Sequence, residues 1–442
     1  MAGPFLNYPG IVGKFVRQPN HARLLRGIVG TLALALVCLH PAGAETQKAL
    51  PDGIIIGRWF VSPYLFQGME RNGNVFRTCD DAELCDEPQK DWVRRTTVDV
   101  GARLPFRNSS LDLEYTGDRY DYRENDFGRN WTHDGRAHLL FRLSSGDQVS
   151  FSERYSSGFT DVRTIDEGGE LTFLGVPYRL NRADVEVSRA SPGQQGYSIR
   201  VARVDLNWEP GEDQSVPFFD YRGFDTRYEF RQPMTGNRWL VVYHDRRLFN
   251  QYRARSSVDW SLGVPFRKED SGSYQVGLRG ETGGGHTYYL SLGWGTFEYT
   301  GREASPGTFS GLVGQFQLSA WLGTRTEMTV EARRRALPSS FPTYYVLNEF
   351  RVSADRQWLQ YSKAGFEAVY SQNDYADPIP GTSCTGDRRR DRRWEAEAFV
   401  DWLFHRYAGL RVSAKRAGRN SNCAGSDYDA NVVFAGLTLG WF

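Results

Sequence analysis

The chain has 442 residues, with 54 Lys and Arg against 53 Asp and Glu, and this near-neutral balance makes no case for nucleic acid as a partner. It is polar on average, with a mean hydropathy of −0.54, yet 14% of its residues are aromatic. Beyond Leu39 no stretch approaches the roughly 18 apolar residues of a spanning helix, which excludes a later transmembrane helix.

In chain order, residues 1–26 carry Lys14, Arg17, Arg23 and Arg26 and no acid. An apolar run from Gly27 to Leu39 follows, then Ala42-Gly43-Ala44 before Glu45. This is the layout of a secretory signal peptide: a basic segment, an apolar segment and a small-residue cleavage site. The run is shorter than the roughly 20 residues of a membrane anchor. Val37 stands before Cys38 where lipidation wants a small residue. The expected organisation is a signal peptide over 1–44, a short periplasmic segment over 45–53, and one domain over 54–442. Cleavage takes the formal charge from +1 to −3.

Strands then alternate with short and long connections. The first is expected from Ile54 to Met69, followed by a polar loop from Glu70 to Lys90. Trp92 to Leu104 sets Val98, Val100, Ala102 and Leu104 against Thr97, Asp99 and Gly101, a period of two that specifies a strand. Similar units follow at Leu111–Tyr115, Ala137–Leu143, Gln148–Tyr155, Ala183–Ser188, Leu290–Gly295, Glu395–Trp402 and Leu410–Lys415. Short turns are expected at Pro105–Ser109, Ser144–Asp147, Ser191–Gln195, Pro233–Asn237, Gly323–Arg325, Asp355–Gln357 and Phe404–Tyr407. Long polar connections are expected at Gly117–Asn130, Gly158–Gly175, Glu209–Asp220, Asp374–Asp391 and Gly418–Tyr428. The last stretch, Asp429 to Phe442, puts Val433, Ala435, Leu437, Leu439 and Trp441 on one face. It has the form of the closing strand of an outer-membrane barrel, with Trp441 rather than Phe442 on the apolar face.

A soluble sandwich also alternates, but it has no reason to alternate loop lengths. A membrane barrel does, with short periplasmic turns and longer outer loops. Trp and Tyr recur near strand ends, among them Trp92, Tyr115, Trp208, Trp394 and Trp402. Such residues suit water–lipid interfaces, although ordinary β-propensity favours them too. The fold class expected is all-β, a transmembrane antiparallel β-barrel in the outer membrane of a Gram-negative bacterium. A strand count near 19 must be even, so 18 is expected and 16 is the second choice, the doubtful region being Ser256–Thr300.

The polar face is expected to line a hydrated lumen with Asp99, Asp112, Glu114, Arg142, Asp184, Glu186, Arg203, Asp205, Glu331, Arg333, Glu367, Glu395, Glu397, Asp401, Arg411 and Lys415. Both signs of charge suit a polar solute rather than a single-sign ion filter. Of the 54 basic residues, 48 are Arg, a bias that base composition explains as readily as anion recognition. Arg333–Arg335 and the cluster Arg388, Arg389, Arg390, Arg392 and Arg393 are the places where recognition would show. The second cluster is expected in an outer loop, against lipopolysaccharide or solvent. Cys79, Cys85, Cys384 and Cys423 remain after cleavage; pairs Cys79–Cys85 and Cys384–Cys423 suit an oxidising compartment, with free thiols as the other reading.

No G-x-S-x-G elbow and no H-E-x-x-H stands in the chain, and His244-Asp245 are adjacent and so point to opposite faces of a strand. No catalytic role, metal or cofactor is expected. The strand–turn–strand units at Leu104–Tyr115, Leu143–Tyr155 and Leu322–Arg335 resemble those of the β-barrel porin-2 family of outer-membrane proteins associated with exopolysaccharide and capsule secretion. The resemblance covers about Ile54 to Phe442. It implies a channel exporting a secreted polysaccharide, with periplasmic and inner-membrane export proteins and outer-membrane lipid as partners. The alternatives are a general or substrate-specific porin for small polar solutes, or a structural, surface-binding barrel.

Overall fold

The computed structural model describes residues 53–75, 89–124, 130–159, 176–189, 195–209, 219–254, 268–282, 285–300, 308–339, 343–359, 362–376, 384 and 388–440. The segment expected at 1–44, that at 45–53 except Gly53, and Cys79, Cys85, Trp441 and Phe442 lie outside the described residues.

Among the described residues nineteen strands follow one another. They are β1 (Ile54–Ile56), β2 (Trp59–Asn72), β3 (Asp91–Phe106), β4 (Ser109–Tyr122), β5 (Asn130–Arg142), β6 (Asp147–Phe159) and β7 (Pro177–Arg189). Next come β8 (Gly196–Trp208), β9 (Phe219–Pro233), β10 (Arg238–Ala254), β11 (Lys268–Thr282), β12 (His286–Thr300) and β13 (Phe309–Leu322). The last six are β14 (Thr326–Pro338), β15 (Tyr344–Gln357), β16 (Lys363–Tyr375), β17 (Arg390–His405), β18 (Ala408–Ser421) and β19 (Tyr428–Gly440). Each of β2 to β18 pairs antiparallel with its successor, and β19 pairs back onto β2, closing an 18-strand barrel. The ring has the expected 18 strands, and β1 stands outside it. The run expected from Ile54 to Met69 breaks at Gly57, whose φ of 63° folds β1 back on β2 as a short hairpin. In the doubtful region, Lys268–Ser273 belongs to β11 and only the Thr282–His286 connection is a turn. The turn expected at Asp355–Gln357 comes slightly later, because β15 runs through Gln357. Likewise β4 continues to Tyr122, inside the stretch expected to be loop.

The strands are 13 to 17 residues long in β2 to β19. At about 3.3 Å per residue and a tilt near 40°, even the shortest covers roughly 30 Å along the barrel axis. The closing seam is held from within. Phe66 of β2 and Phe434 of β19 stack with centroids 5.2 Å apart. A Cβ at Gly436 would come within 2.5 Å of the Phe66 ring, and one at Gly68 within 2.7 Å of Phe434. Two rings therefore lie flat on two glycines, where any side chain would force the strands apart.

At the opposite end from the short turns, the disulfide Cys384–Cys423 joins the connection after β16 to the connection after β18. It sits near a buried charge group in which Arg389 forks onto Asp391 at 2.7 and 2.9 Å and Arg419 lies over the Tyr428 ring. The bond closes a sequence separation of 39 residues, so chain-entropy arguments assign it about 4 kcal/mol. Peptide mapping without reductant is expected to recover Cys384 linked to Cys423. The double Ser variant is expected to unfold at lower denaturant, and alkylation of both thiols in the untreated protein would contradict the bond.

Candidate functional site: the barrel wall and lumen

Because partners across a ladder share a face, the register sorts every side chain as inward or outward. The outward face is recognisable by exposed apolar side chains: Val433, Leu437 and Leu439 on β19, Leu290, Leu292 and Trp294 on β12, Val400 and Trp402 on β17. On β17 the outward series Trp394, Ala396, Ala398, Val400, Trp402 places a Trp at each edge of an apolar stretch. Eight residues separate the two Trp, about 26 Å along the strand. That apolar band, closed on itself so that no backbone edge is left unpaired, can only face lipid. The protein is an outer-membrane β-barrel of the Gram-negative type. Short turns mark its periplasmic end and the long connections its outer end. Among the described residues no helix is long and apolar enough to cross a membrane.

The inward face carries ion pairs strand to strand. On β17 and β18, Lys415 donates to Glu395 at 2.6 Å, and Arg411 lies 3.5 Å from Asp401 and 3.8 Å from Glu397. On β14 to β16, Arg333 meets Glu349 at 3.0 Å and Arg351 meets Glu367 at 3.0 Å. On β7 to β9, Arg200 and Arg182 converge on Asp184 at 2.5 and 3.2 Å, Arg182 also reaches Asp225 at 3.0 Å, and Ser198 donates to Glu186 at 2.7 Å. On β3 to β5, Asp99 accepts from Thr116 at 2.7 Å, Asp112 pairs with Arg103, and Glu114 lies 4.0 Å from Arg136. Glu331 borders the internal cavity, and Arg142 sits exposed at the periplasmic end of β5. The alternation read from sequence misses Arg182, Arg200, Glu349 and Arg351, although each stands two residues from, or directly across from, an assigned inward residue. Extending the same period of two would have found them.

Two residues depart from the expected placement. Arg203 is opposite Ala183 and Phe224, and Asp205 opposite Asn181 and Arg222, all outward, so Arg203 and Asp205 bond to each other at 3.0 Å outside the lumen. The cause is a reversal of polarity along β8. Near the outer end the inward side chains are Ala202, Val204, Leu206 and Trp208, all buried. Leu206 and Trp208 form an internal apolar cluster with Val176 and Tyr178. A second such cluster, Leu337, Tyr345, Leu347 and Tyr375, lies at the outer ends of β14 to β16. Over β7–β8 and over β14–β16 the inner wall is therefore apolar and packed at its outer end, and polar toward the periplasm.

The arginine cluster is also placed differently from expectation. It straddles the outer end of β17 rather than a loop: Arg390 and Arg392 face outward, Arg393 inward, and Arg389 is buried on Asp391. Of Arg333–Arg335, Arg333 and Arg335 face inward and Arg334 outward, bonded to Asn348.

His244 and Asp245 do fall on opposite faces, with His244 stacked outward on Tyr274 at 4.0 Å. His138 lies inward, 3.8 Å from Asp112 and across from Ser152. Asp112 is already engaged by Arg103 and Ser110, and Ser152 bonds Asp184 at 3.5 Å rather than His138. The row lacks the nucleophile–base bond that hydrolysis requires.

A cavity of about 1350 Å³ runs along the inner wall of β6 to β15, bordered by Arg182, Arg227, Asp225, Tyr243, Arg279 and Glu331 among others. On β9 the inward charges alternate in sign as Asp225, Arg227, Glu229 and Arg231, and Gln275, Gln315 and Gln317 border the same cavity.

No protein-family model and no curated protein matches the chain. Among solved structures it is similar to the outer membrane protein OpdK from Pseudomonas aeruginosa, with 13% identity, 86% of this chain and 99% of that one covered, and a TM-score of 0.46. It is similar to Pseudomonas aeruginosa OccK2 (OpdF) in complex with glucuronate, with 12% identity, 86% and 98% coverage and a TM-score of 0.47. It is also similar to Pseudomonas aeruginosa OccK11 (OpdR), with 12% identity, 89% and 99% coverage and a TM-score of 0.44.

Proposed function

We propose that the protein is an outer-membrane channel for small polar solutes rather than for a polymer. The carrying observation is the internal cavity of about 1350 Å³, walled by paired charges and amides on its inner face. Paired walls present donors and acceptors of both kinds at short intervals, which suits a solute that exchanges hydration for successive polar contacts. The packed outer end favours a small passenger. Leu347 and Tyr345 are 0% and 1% exposed, so those side chains offer no surface for stacking a sugar chain. Residues Asp99, Asp112, Glu114, Asp184, Glu186, Glu331, Arg333, Glu367, Glu395, Glu397, Asp401, Arg411 and Lys415 serve as the lining, with Arg142 at the periplasmic mouth.

Polysaccharide export rests on the hairpin resemblance alone, and the test separates the two. Purified barrel in planar bilayers is expected to conduct. Liposomes carrying it are expected to swell in amino acids or monosaccharides and not in long oligosaccharides. Deletion of the gene is expected to leave surface polysaccharide unchanged. Loss of that polysaccharide would restore the export reading, and absence of any conductance would favour a structural barrel.

A further inference from the structure

Several outward acids of this barrel are paired. Asp147 is held by Arg189 at 2.7 Å and Tyr197 at 2.8 Å, Asp205 by Arg203 at 3.0 Å, and Asp270 by Arg246 at 2.7 Å. Glu153 on β6 is different. It faces outward, across from Ala137 and Ala183, in series with the exposed Phe151. Among the described residues no cation and no hydroxyl pairs with it. Glu298 also lacks a cation, but it stands at the outer end of β12, four residues beyond outward Trp294.

Depth sets Glu153 apart. Ala137, across the ladder from it, stands six residues below Trp131, and Glu153 itself stands six residues above Asp147. Six residues span about 20 Å of strand, so the carboxylate lies well inside the apolar band. No lipid headgroup reaches that level, and an ionisable side chain there calls for a protein contact. Its surroundings suit one. Ala137 and Ala183 flank it and Gly135 stands diagonally beyond, so the wall is low on both sides of β6, and small outward residues let a second spanning surface come close.

The next residue in the same row, past Ala183, is Arg203 on β8. An acid and a base therefore stand either side of one small residue. Within the chain their Cα atoms are about 10 Å apart, two strand spacings. Arg203 turns its Nε to Asp205 instead, and with its side chain 59% exposed the rest of its fork points away from the wall.

We propose that the row Glu153–Ala183–Arg203 is a two-fold contact with a second copy of this chain, its axis along the membrane normal through Ala183. That operator sets Glu153 of each copy against Arg203 of the other, twice, and Ala183 against Ala183. The acid–small–base order is self-complementary, as such a contact requires. Because the row is tilted with the strands, the paired Cα atoms differ in height by about 6 Å, which an extended Arg and a Glu span together. Association takes the carboxylate out of hydrocarbon and gives it a guanidinium fork. The inference depends on which face meets lipid, not on what the lumen conducts.

The test is oxidative cross-linking of the full-length barrel in outer membranes at low expression. Ala183→Cys, on the axis, is expected to give a covalent dimer. Ala398→Cys, outward on β17 midway between Trp394 and Trp402, is the control and is expected to give none. Glu153→Gln in the Ala183→Cys chain is expected to weaken dimerisation at least about tenfold. Glu153→Arg and Arg203→Glu, each in that chain, are each expected to lose the dimer, because like charges then meet. Co-expressed with different tags, they are expected to form a mixed dimer, because both contacts again set Arg against Glu. A monomer with Ala183→Cys, equal cross-linking at Ala398→Cys, a different protein captured at Ala183→Cys, an undiminished dimer with Glu153→Gln, or no mixed dimer would each overturn the proposal. The last is the outcome if Glu153 and Arg203 serve only their own chain. Folding is read independently by heat-dependent mobility in SDS gels. Should the reversed variants not fold, Glu153→Gln, Arg203→Gln and their combination are compared; the combination is expected to be no weaker than either single, and neutral singles reject the contact.

Discussion

Replacing Leu437 with Arg is expected to destabilise the barrel by about 2–4 kcal/mol, the cost of a cation near the middle of the lipid face. Leu437 lies across from Leu410 on one side and Gln67 on the other, with Leu439 and Ala435 along its own strand. It is 56% exposed, and the medium it meets is hydrocarbon. An Arg there has no carboxylate within its own outward row and must reach several residues to an interface, thinning the bilayer as it does so. The position adds to the effect, because β19 is the strand that closes the ring onto β2. Asn431→Arg, on the same face of the same strand but at its outer end, is the depth control, with an expected cost of about 0–1 kcal/mol. Both are read by denaturant unfolding in lipid vesicles. Equal costs at the two positions would mean that this face does not meet hydrocarbon at Leu437, and the membrane reading of the barrel would fall.

The second large effect concerns ion selectivity. In Arg411→Gln/Lys415→Gln, three carboxylates of β17 lose their nearest cations: Glu395 loses Lys415 at 2.6 Å, Asp401 and Glu397 lose Arg411 at 3.5 and 3.8 Å. A unit charge at about 4 Å acts with about 1 kcal/mol even at the dielectric of water, a factor of roughly five in relative ion occupancy. The conductance ratio of cations to anions is therefore expected to rise by about fivefold or more in dilute salt. The gain is expected to fade near 1 M salt, where the screening length is only about 3 Å. Reversal potentials across a salt gradient measure it. An unchanged ratio at low salt would remove β17 and β18 from the conduction path.

The two substitutions probe opposite faces of adjacent strands, and the sequence marks those faces unequally well. Alternation alone separates the faces of Leu437 and Arg411 as the register does, because a pleated strand sends successive side chains to opposite sides whatever surrounds it. Arg203 and Asp205 are not. Their strand alternates as regularly as any other, but at its outer end Ala202, Val204 and Leu206 are the buried, inward set. Periodicity says that two faces exist; which one is wet depends on what fills the lumen at that height. The ion pairs illustrate the same limit. That Glu395 and Lys415 both face inward can be read from their own segments. That they bond at 2.6 Å follows from the β17–β18 register, in which Lys415 stands across from the neighbouring Glu397.

Sequence by itself determined the strand period, the alternation of short and long connections, and hence an all-β barrel of even strand number with an apolar outside. These are local properties, carried by the order of residues within a dozen positions. Only the tertiary structure decided that β1 folds back as a hairpin and leaves 18 strands in the ring. Only it decided that polarity reverses along β8, that the Arg cluster of β17 is divided between both faces, and that Phe66 and Phe434 meet over two glycines at the seam. Each of those depends on residues brought together from distant parts of the chain when the ring closes, and no local pattern encodes which of them will meet.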